Sequence, residues 1–135
     1  MTFWAVICWN RIKPGIGEAA NVEGCIFCKI TAGQISSHTV YQDERVLAFR
    51  DINPQAPVHI LIIPKTHITS LAEATDKDES LLGHILLVAS QIARSEGIAE
   101  KGYRVGISTR REGGQTVEHL HLHLLGGRQM GGRIG

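Results

Sequence analysis

Between residues 119 and 124 the chain alternates without a break, His119-Leu120-His121-Leu122-His123-Leu124. A period of two is the signature of a β-strand, in which successive side chains point to opposite faces. The expectation is a strand over residues 117–125 whose leucines pack beneath a helix. The three imidazoles would then line the other face, about 6.6 Å apart at about 3.3 Å per residue. A face meant only for solvent would carry Thr, Lys, Ser and Glu instead. A metal site made of all three histidines is disfavoured, because the outer two are too far apart to share one ion easily.

The remaining elements can be placed around that strand. Cys25 to Ile30 is spaced for a short helix that stops at Gly33, and residues 39–42 and 46–50 are β-branched and aromatic runs suited to a hairpin. Asn53 to Pro57 reads as a turn, and Val58 to Ile63 as a third strand ended by Pro64. From about Lys77 to Glu96, Leu82, Ile85, Leu86, Ala89, Ile92 and Ala93 recur at three- and four-residue steps, which predicts one long helix capped at Thr75 and Asp78. A fourth strand follows over Tyr103 to Ser108, then a loop from Thr109 to Thr116. Short turns make the early strands antiparallel, so the fold class is α+β: a five-stranded antiparallel sheet with the long helix on one face. The other face must be solvated, functional or paired with a second chain.

At 135 residues the chain fits a single domain. It is expected to start near Gly24, leaving residues 1–23 as an unexplained extension with a breaker-rich linker at Asn10 to Gly17. The apolar opening, Met1 to Trp9, has no basic residue before it and is far too short to span a bilayer, so the expected location is cytoplasmic. Lys and Arg number 14 against 13 Asp and Glu. That balance gives no case for a nucleic-acid partner or a membrane surface, and leaves small anionic ligands open.

Two further features carry chemistry. Arg110-Arg111-Glu112-Gly113-Gly114-Gln115-Thr116 sets glycines, an amide and a hydroxyl just ahead of the imidazoles. Backbone N–H groups, the Gln115 amide and the Thr116 hydroxyl could all donate to phosphate oxygens. Cys25-x-x-Cys28 is either half of a zinc site or a pair of reduced, buried thiols; an odd total of three cysteines does not suggest a disulfide framework.

Together these motifs resemble the histidine-triad superfamily. His119 to Leu125 fits the pattern His-φ-His-φ-His-φ-φ, with φ apolar. Asp51 to His59 and Leu125 to Met130 resemble its nucleotide-binding, Hint-like branch, and the similarity runs from about Cys25 to Met130. The resemblance implies a HIT domain over residues 24–135 that acts as a homodimer with a joined ten-stranded sheet. It implies hydrolysis of purine nucleoside phosphoramidates or related nucleotidyl substrates through a nucleotidyl-histidine, releasing an adenosine-monophosphate-like nucleoside monophosphate. It assigns the nucleophile to His121, phosphate contact to His123, orientation and protonation to His119, and a place near the triad to His59. Gly114, Gln115 and Thr116 correspond to the phosphate-contacting run and Asp51 to the acid that binds the ribose. Phe27, Ile30, Phe49 and Ile52 correspond to the walls around the base. No cofactor is needed for catalysis, but Cys25, Cys28, His67 and His119 match a structural zinc site. Ser108 stands in place of a usual asparagine, Glu118 in place of a frequent aromatic, and the tail after Met130 lacks a tryptophan. A purine-nucleotide-binding regulator with incidental slow hydrolysis, and a zinc protein with a vestigial site, are the alternatives.

Overall fold

The structure, a computed structural model, describes residues 22–134. The expected extension therefore lies outside the described residues but for Val22 and Glu23. Helix α1 (Ile26–Thr31) is capped by Cys25, whose Sγ accepts the Cys28 amide at 3.3 Å, and it buries Phe27 and Cys28. The chain then forms β1 (Thr39–Gln42), β2 (Val46–Arg50) and β3 (Val58–Pro64). The first hairpin turns on Asp43, whose Oδ1 accepts the Arg45 and Val46 amides at 2.8 and 2.9 Å and so builds the turn from a side chain.

Two 3-10 turns, Leu71–Glu73 and Asp76–Asp78, lead into α2 (Glu79–Ser95), followed by β4 (Tyr103–Ile107) and β5 (Leu122–Gly126). The Thr75 and Asp78 capping box is present, but it caps the second 3-10 turn rather than α2 itself. Asp78 Oδ2 accepts the Thr75 amide at 2.9 Å, so the shorter acid does what Glu usually does at this place. Past Glu96 the helix ends at Gly97, whose φ of 76° suits a residue without a Cβ.

All five strands form one antiparallel sheet in the order β1-β2-β3-β5-β4. The histidine-bearing β5 thus lies inside the sheet, with His123 opposite Leu61 of β3 and Gly106 of β4. Leu120, Leu122 and Leu124 are buried with Ile60 and Ile62 under Ile85, Val88, Ala89 and Ile92 of α2, as the alternation requires. The opposite face is not bare. Phe27 of α1 joins Leu47, Phe49, Leu61 and Ile63 in a second apolar layer. Burying a side chain of that size contributes roughly 1.5–3 kcal/mol, so both layers hold the sheet.

The last strand differs from expectation. It begins at Leu122 rather than Val117, because the β3 ladder ends at Pro64, a residue with no N–H to continue it. The Leu120 amide donates instead to Ile68 O at 2.6 Å, and the Pro64 carbonyl is taken by the His119 ring at 2.9 Å. His119 and His121 therefore precede the strand, and the three rings do not form one evenly spaced row.

Candidate active site

Two backbone groups fix the protonation pattern of the histidines. His121 Nδ1 lies 2.7 Å from the His119 carbonyl, which only accepts, so Nδ1 carries the proton and Nε2 carries a lone pair. His121 is 3% exposed, and its Nε2 has no partner among the described residues. On β3, His59 Nδ1 accepts the Gln55 amide at 3.0 Å, which puts the His59 proton on Nε2. That Nε2–H donates to His123 Nδ1 at 2.9 Å, leaving His123 with its own proton on Nε2. The His121 and His123 rings are 5.0 Å apart. A bare nitrogen and an N–H donor are thereby held side by side.

Burial keeps the His59 and His123 rings neutral. It lowers His123 to about 4, helped by His121 and His59 and opposed by the Asp51 carboxylate. His59 is lowered by burial against the pull of the same Asp51, whose Oδ2 lies 3.4 Å from His59 Nε2. The other Asp51 oxygen accepts the Asn53 amide at 2.8 Å, which aims the half-buried carboxylate.

His119 belongs to a second cluster. Its Nδ1 is 3.3 Å from Cys25 Sγ and 3.6 Å from Cys28 Sγ, while Cys28 Sγ is 3.3 Å from His67 Nδ1. One donor atom from each of the four residues lies within 4.8 Å of the others. A tetrahedral zinc ion with bonds of about 2.0–2.1 Å to nitrogen and about 2.3 Å to sulfur spaces its donors about 3.3–3.8 Å apart, so the set fits. The His119 Nε2–H bond to Pro64 O frees Nδ1 as a ligand and fixes its ring, as outer partners of metal-bound histidines do. Burial pushes the Cys28 thiol up to about 12, with the Val22 amide opposing, and a divalent cation would reverse this by ionising it.

The Gly-Gly-Gln-Thr loop folds on itself. The Gly114 and Gln115 amides donate to Arg111 O and Arg110 O, both at 3.0 Å. A Cβ on Gly113 would lie 2.4 Å from Thr109 O, so this turn requires glycine. The Gln115 side-chain amide is bonded to Thr69 O, Val117 O and the Arg110 amide. The Thr116 amide and hydroxyl have no partner among the described residues, and Thr116 lines a cavity of about 630 Å³ beside the loop.

The HIT domain profile matches residues 32–130. The chain belongs to the HIT domain family. This HIT protein is 53% identical over 109 residues to the purine nucleoside phosphoramidase of Escherichia coli strain K12, covering 81% of this chain and 92% of that one. It is 56% identical over 107 residues to a 14 kDa zinc-binding protein of Zea mays, covering 78% and 83%. Among solved structures, a HIT family hydrolase from Legionella pneumophila Philadelphia 1 superposes with a TM-score of 0.81 at 51% identity, covering 83% of this chain and 100% of that one.

Set against these relatives, most residues singled out in the HIT protein's sequence come together. His121, His123, His59 and Asp51 form one cluster, while Cys25, Cys28, His67 and His119 form another. Phe27 connects them, its ring edge-on to His119 at 5.7 Å, His121 at 5.2 Å and Phe49 at 5.6 Å. Ile30 packs in the same apolar layer.

At three places the arrangement differs from the simplest expectation. Ile52 does not join that layer and is fully exposed. Both nitrogens of the His119 ring are engaged away from His121, one by Cys25 Sγ and one by Pro64 O. The Gln115 side-chain amide is taken by Thr69 O and Val117 O, and the Gly114 and Gln115 N–H groups by carbonyls within the loop, which leaves Thr116 as the donor with free capacity. Ser108 follows the last β4 pair, Ile107 with Leu122, and makes no hydrogen bond within the described residues. Sequence reading missed Gln55 and Pro64, which act through main-chain atoms that carry no residue-type signal.

Proposed function

We propose that this HIT-type nucleotide hydrolase cleaves purine nucleoside phosphoramidates by way of a nucleotidyl group carried on His121. One observation carries the reading: a buried imidazole whose Nε2 lone pair is left without a partner beside a ring that presents an N–H. A nucleophile needs that free lone pair.

In this account His121 Nε2 forms a bond to the α-phosphorus and the bond from phosphorus to the amine breaks. The His119 carbonyl stabilises the charge that then builds on the His121 ring through the Nδ1–H bond. His123, held neutral with its proton on Nε2, donates to a phosphoryl oxygen, and Thr116 supplies its amide and hydroxyl to the others. The departing amine needs a proton. With the His119 ring engaged elsewhere, that proton comes from water reaching the half-buried His123 side of the cluster. Water then hydrolyses the nucleotidyl-histidine to release the nucleoside monophosphate. Asp51 accepts from the ribose hydroxyls, and Phe27, Phe49, Ile30 and the exposed Ile52 offer the base an apolar surface, with Ser108 near the sugar-phosphate.

Cys25, Cys28, His67 and His119 would hold a structural zinc ion, which supplies a cross-link between α1, the segment after β3 and the segment before β5. We also propose a homodimer. Edge strand β4 exposes Tyr103 and Val105, and α2 exposes Leu86 and Leu87, surfaces that a joined ten-stranded sheet would cover. Among the described residues no helix is long and apolar enough to cross a membrane. A cytoplasmic location rests on the unpaired thiols of Cys25 and Cys28.

The test is turnover of a fluorogenic adenosine phosphoramidate by the purified protein and by His121→Asn. Turnover that disappears in the variant supports the enzyme. Equal, feeble rates in both would support a nucleotide-binding protein instead.

A further inference from the structure

The Gln115 side chain is the knot of the loop ahead of the histidines. Its Nε2 donates to Thr69 O at 2.7 Å and to Val117 O at 2.9 Å, while its Oε1 accepts the Arg110 amide at 2.7 Å. Its own backbone N–H donates to Arg110 O at 3.0 Å. Arg110 is thus gripped at both main-chain groups by one residue, and it needs to be. It is the non-glycine among the described residues with a positive φ, 60°, a conformation costly for a side chain with a Cβ. Further bonds brace the same point: Arg110 pairs with Glu73, which accepts the hydroxyl of the buried Ser70.

The three side-chain bonds reach separate parts of the fold. Thr69 stands two residues after His67, Val117 two residues before His119, and Arg110 at the far side of the loop. All the hydrogen-bonding capacity of the amide nitrogen is used, so this side chain has no N–H left for a phosphate. Its neighbour Thr116 keeps both donors free.

We propose that Gln115 is a positioning residue, whose carboxamide holds the 110–116 loop closed and thereby sets the direction of the Thr116 amide and hydroxyl toward the phosphate. This rests on the phosphate role given above to Thr116. Gln115 does not touch substrate; its effect on binding passes through Thr116. The two residues therefore act as one unit, and removing both side chains does little more harm than the worse single removal.

The experiment measures the dissociation constant of adenosine monophosphate for the full chain and for Thr116→Ala, Gln115→Ala and the double variant. The kcat and KM for an adenosine phosphoramidate are read alongside. Thr116→Ala removes the hydroxyl and keeps the amide, and should weaken binding by about ten-fold, the loss expected for one donor to a charged group. Gln115→Ala should weaken it by a similar factor, and the double variant by no more than the worse single change. KM should rise while the pH profile of kcat stays in place, since the histidine cluster is untouched. Gln115→Glu keeps the acceptor for the Arg110 amide but has no N–H for Thr69 and Val117, so it should behave like Gln115→Ala.

If Thr116→Ala leaves the affinity unchanged, the phosphate assignment itself fails. If Thr116→Ala weakens binding but Gln115→Ala does not, or if the two effects multiply, that assignment stands and the positioning role is overturned. Loss of the folded circular-dichroism signal in both Gln115 variants also overturns it, because the residue would then support the domain rather than the loop.

Discussion

The His119 carbonyl accepts the Nδ1–H of His121 at 2.7 Å, while the His119 ring turns the other way and sets its Nδ1 3.3 Å from Cys25 Sγ. One residue thus serves two clusters, by its main chain in one and by its side chain in the other. The division separates what substitutions at neighbouring histidines should do.

His121→Asn removes the proposed nucleophile but preserves a polar side chain of similar reach. Turnover of an adenosine phosphoramidate should fall at least about a thousand-fold, the scale on which loss of a nucleophile acts. Affinity for adenosine monophosphate should change only a few-fold, because the phosphate and ribose contacts lie elsewhere. Steady-state kinetics and titration calorimetry on the same preparation separate the two.

Zinc should be found at about one ion per chain by elemental analysis of freshly purified protein. Cys28→Ser and His119→Ala should both lose it. His119→Ala keeps the carbonyl that orients His121, so its activity at low temperature should survive better than that of His121→Asn, while its thermal midpoint falls. Strong chelation of the wild type should lower the midpoint in the same way.

Acid should destabilise the fold over a defined window. His123 is lowered by burial from its ordinary 6.5 to about 4, and His59 is lowered for the same reason. The unfolded chain binds these protons near pH 6.5, the folded chain only well below it. Stability therefore rises with pH across the window, is complete above about 6.5, and is lost as pH falls through about 4. His123 is only half-buried, so its share is on the order of 1–2 kcal/mol after solvent screening. Urea midpoints measured between pH 4 and 7 check both the sign and the window, and His123→Asn should flatten the slope.

Leu122→Ala should cost about 2–5 kcal/mol, because the side chain is fully buried beneath α2 with nothing free to fill the gap. Chemical denaturation of the variant measures it directly. Leu87→Ala, on the exposed side of α2, should cost far less in a monomer, and more only if a partner chain covers it.

The elements with strong local signals were legible in the chain. The bounds of β1 and β2 match the aromatic and β-branched runs, and the leucines of the alternating segment lie under the helix as the period demands. Alternation continues through Val117 to His121 and predicts a longer final strand, whereas the sheet's hydrogen bonding is stopped by Pro64 on a different strand. The Asp76–Asp78 turn is periodic enough to resemble the first turn of the long helix, so the pattern predicts an earlier start than the helix has. At the site, residue types named the clusters but not their tautomers. Those are set by the Gln55 amide and the His119 carbonyl, which any residue could provide. The Gln115 amide has the right chemistry for a phosphate donor; only the fold shows that Thr69, Val117 and Arg110 already occupy it.

The most direct measurement is mass spectrometry of the protein quenched in acid-free denaturant within milliseconds of mixing with an adenosine phosphoramidate. The account predicts an adenylyl group on the peptide spanning residues 119–123, attached at His121 and absent from His121→Asn. An adduct on His123, or hydrolysis with no adduct and inversion of configuration at a chiral phosphorus, would contradict it.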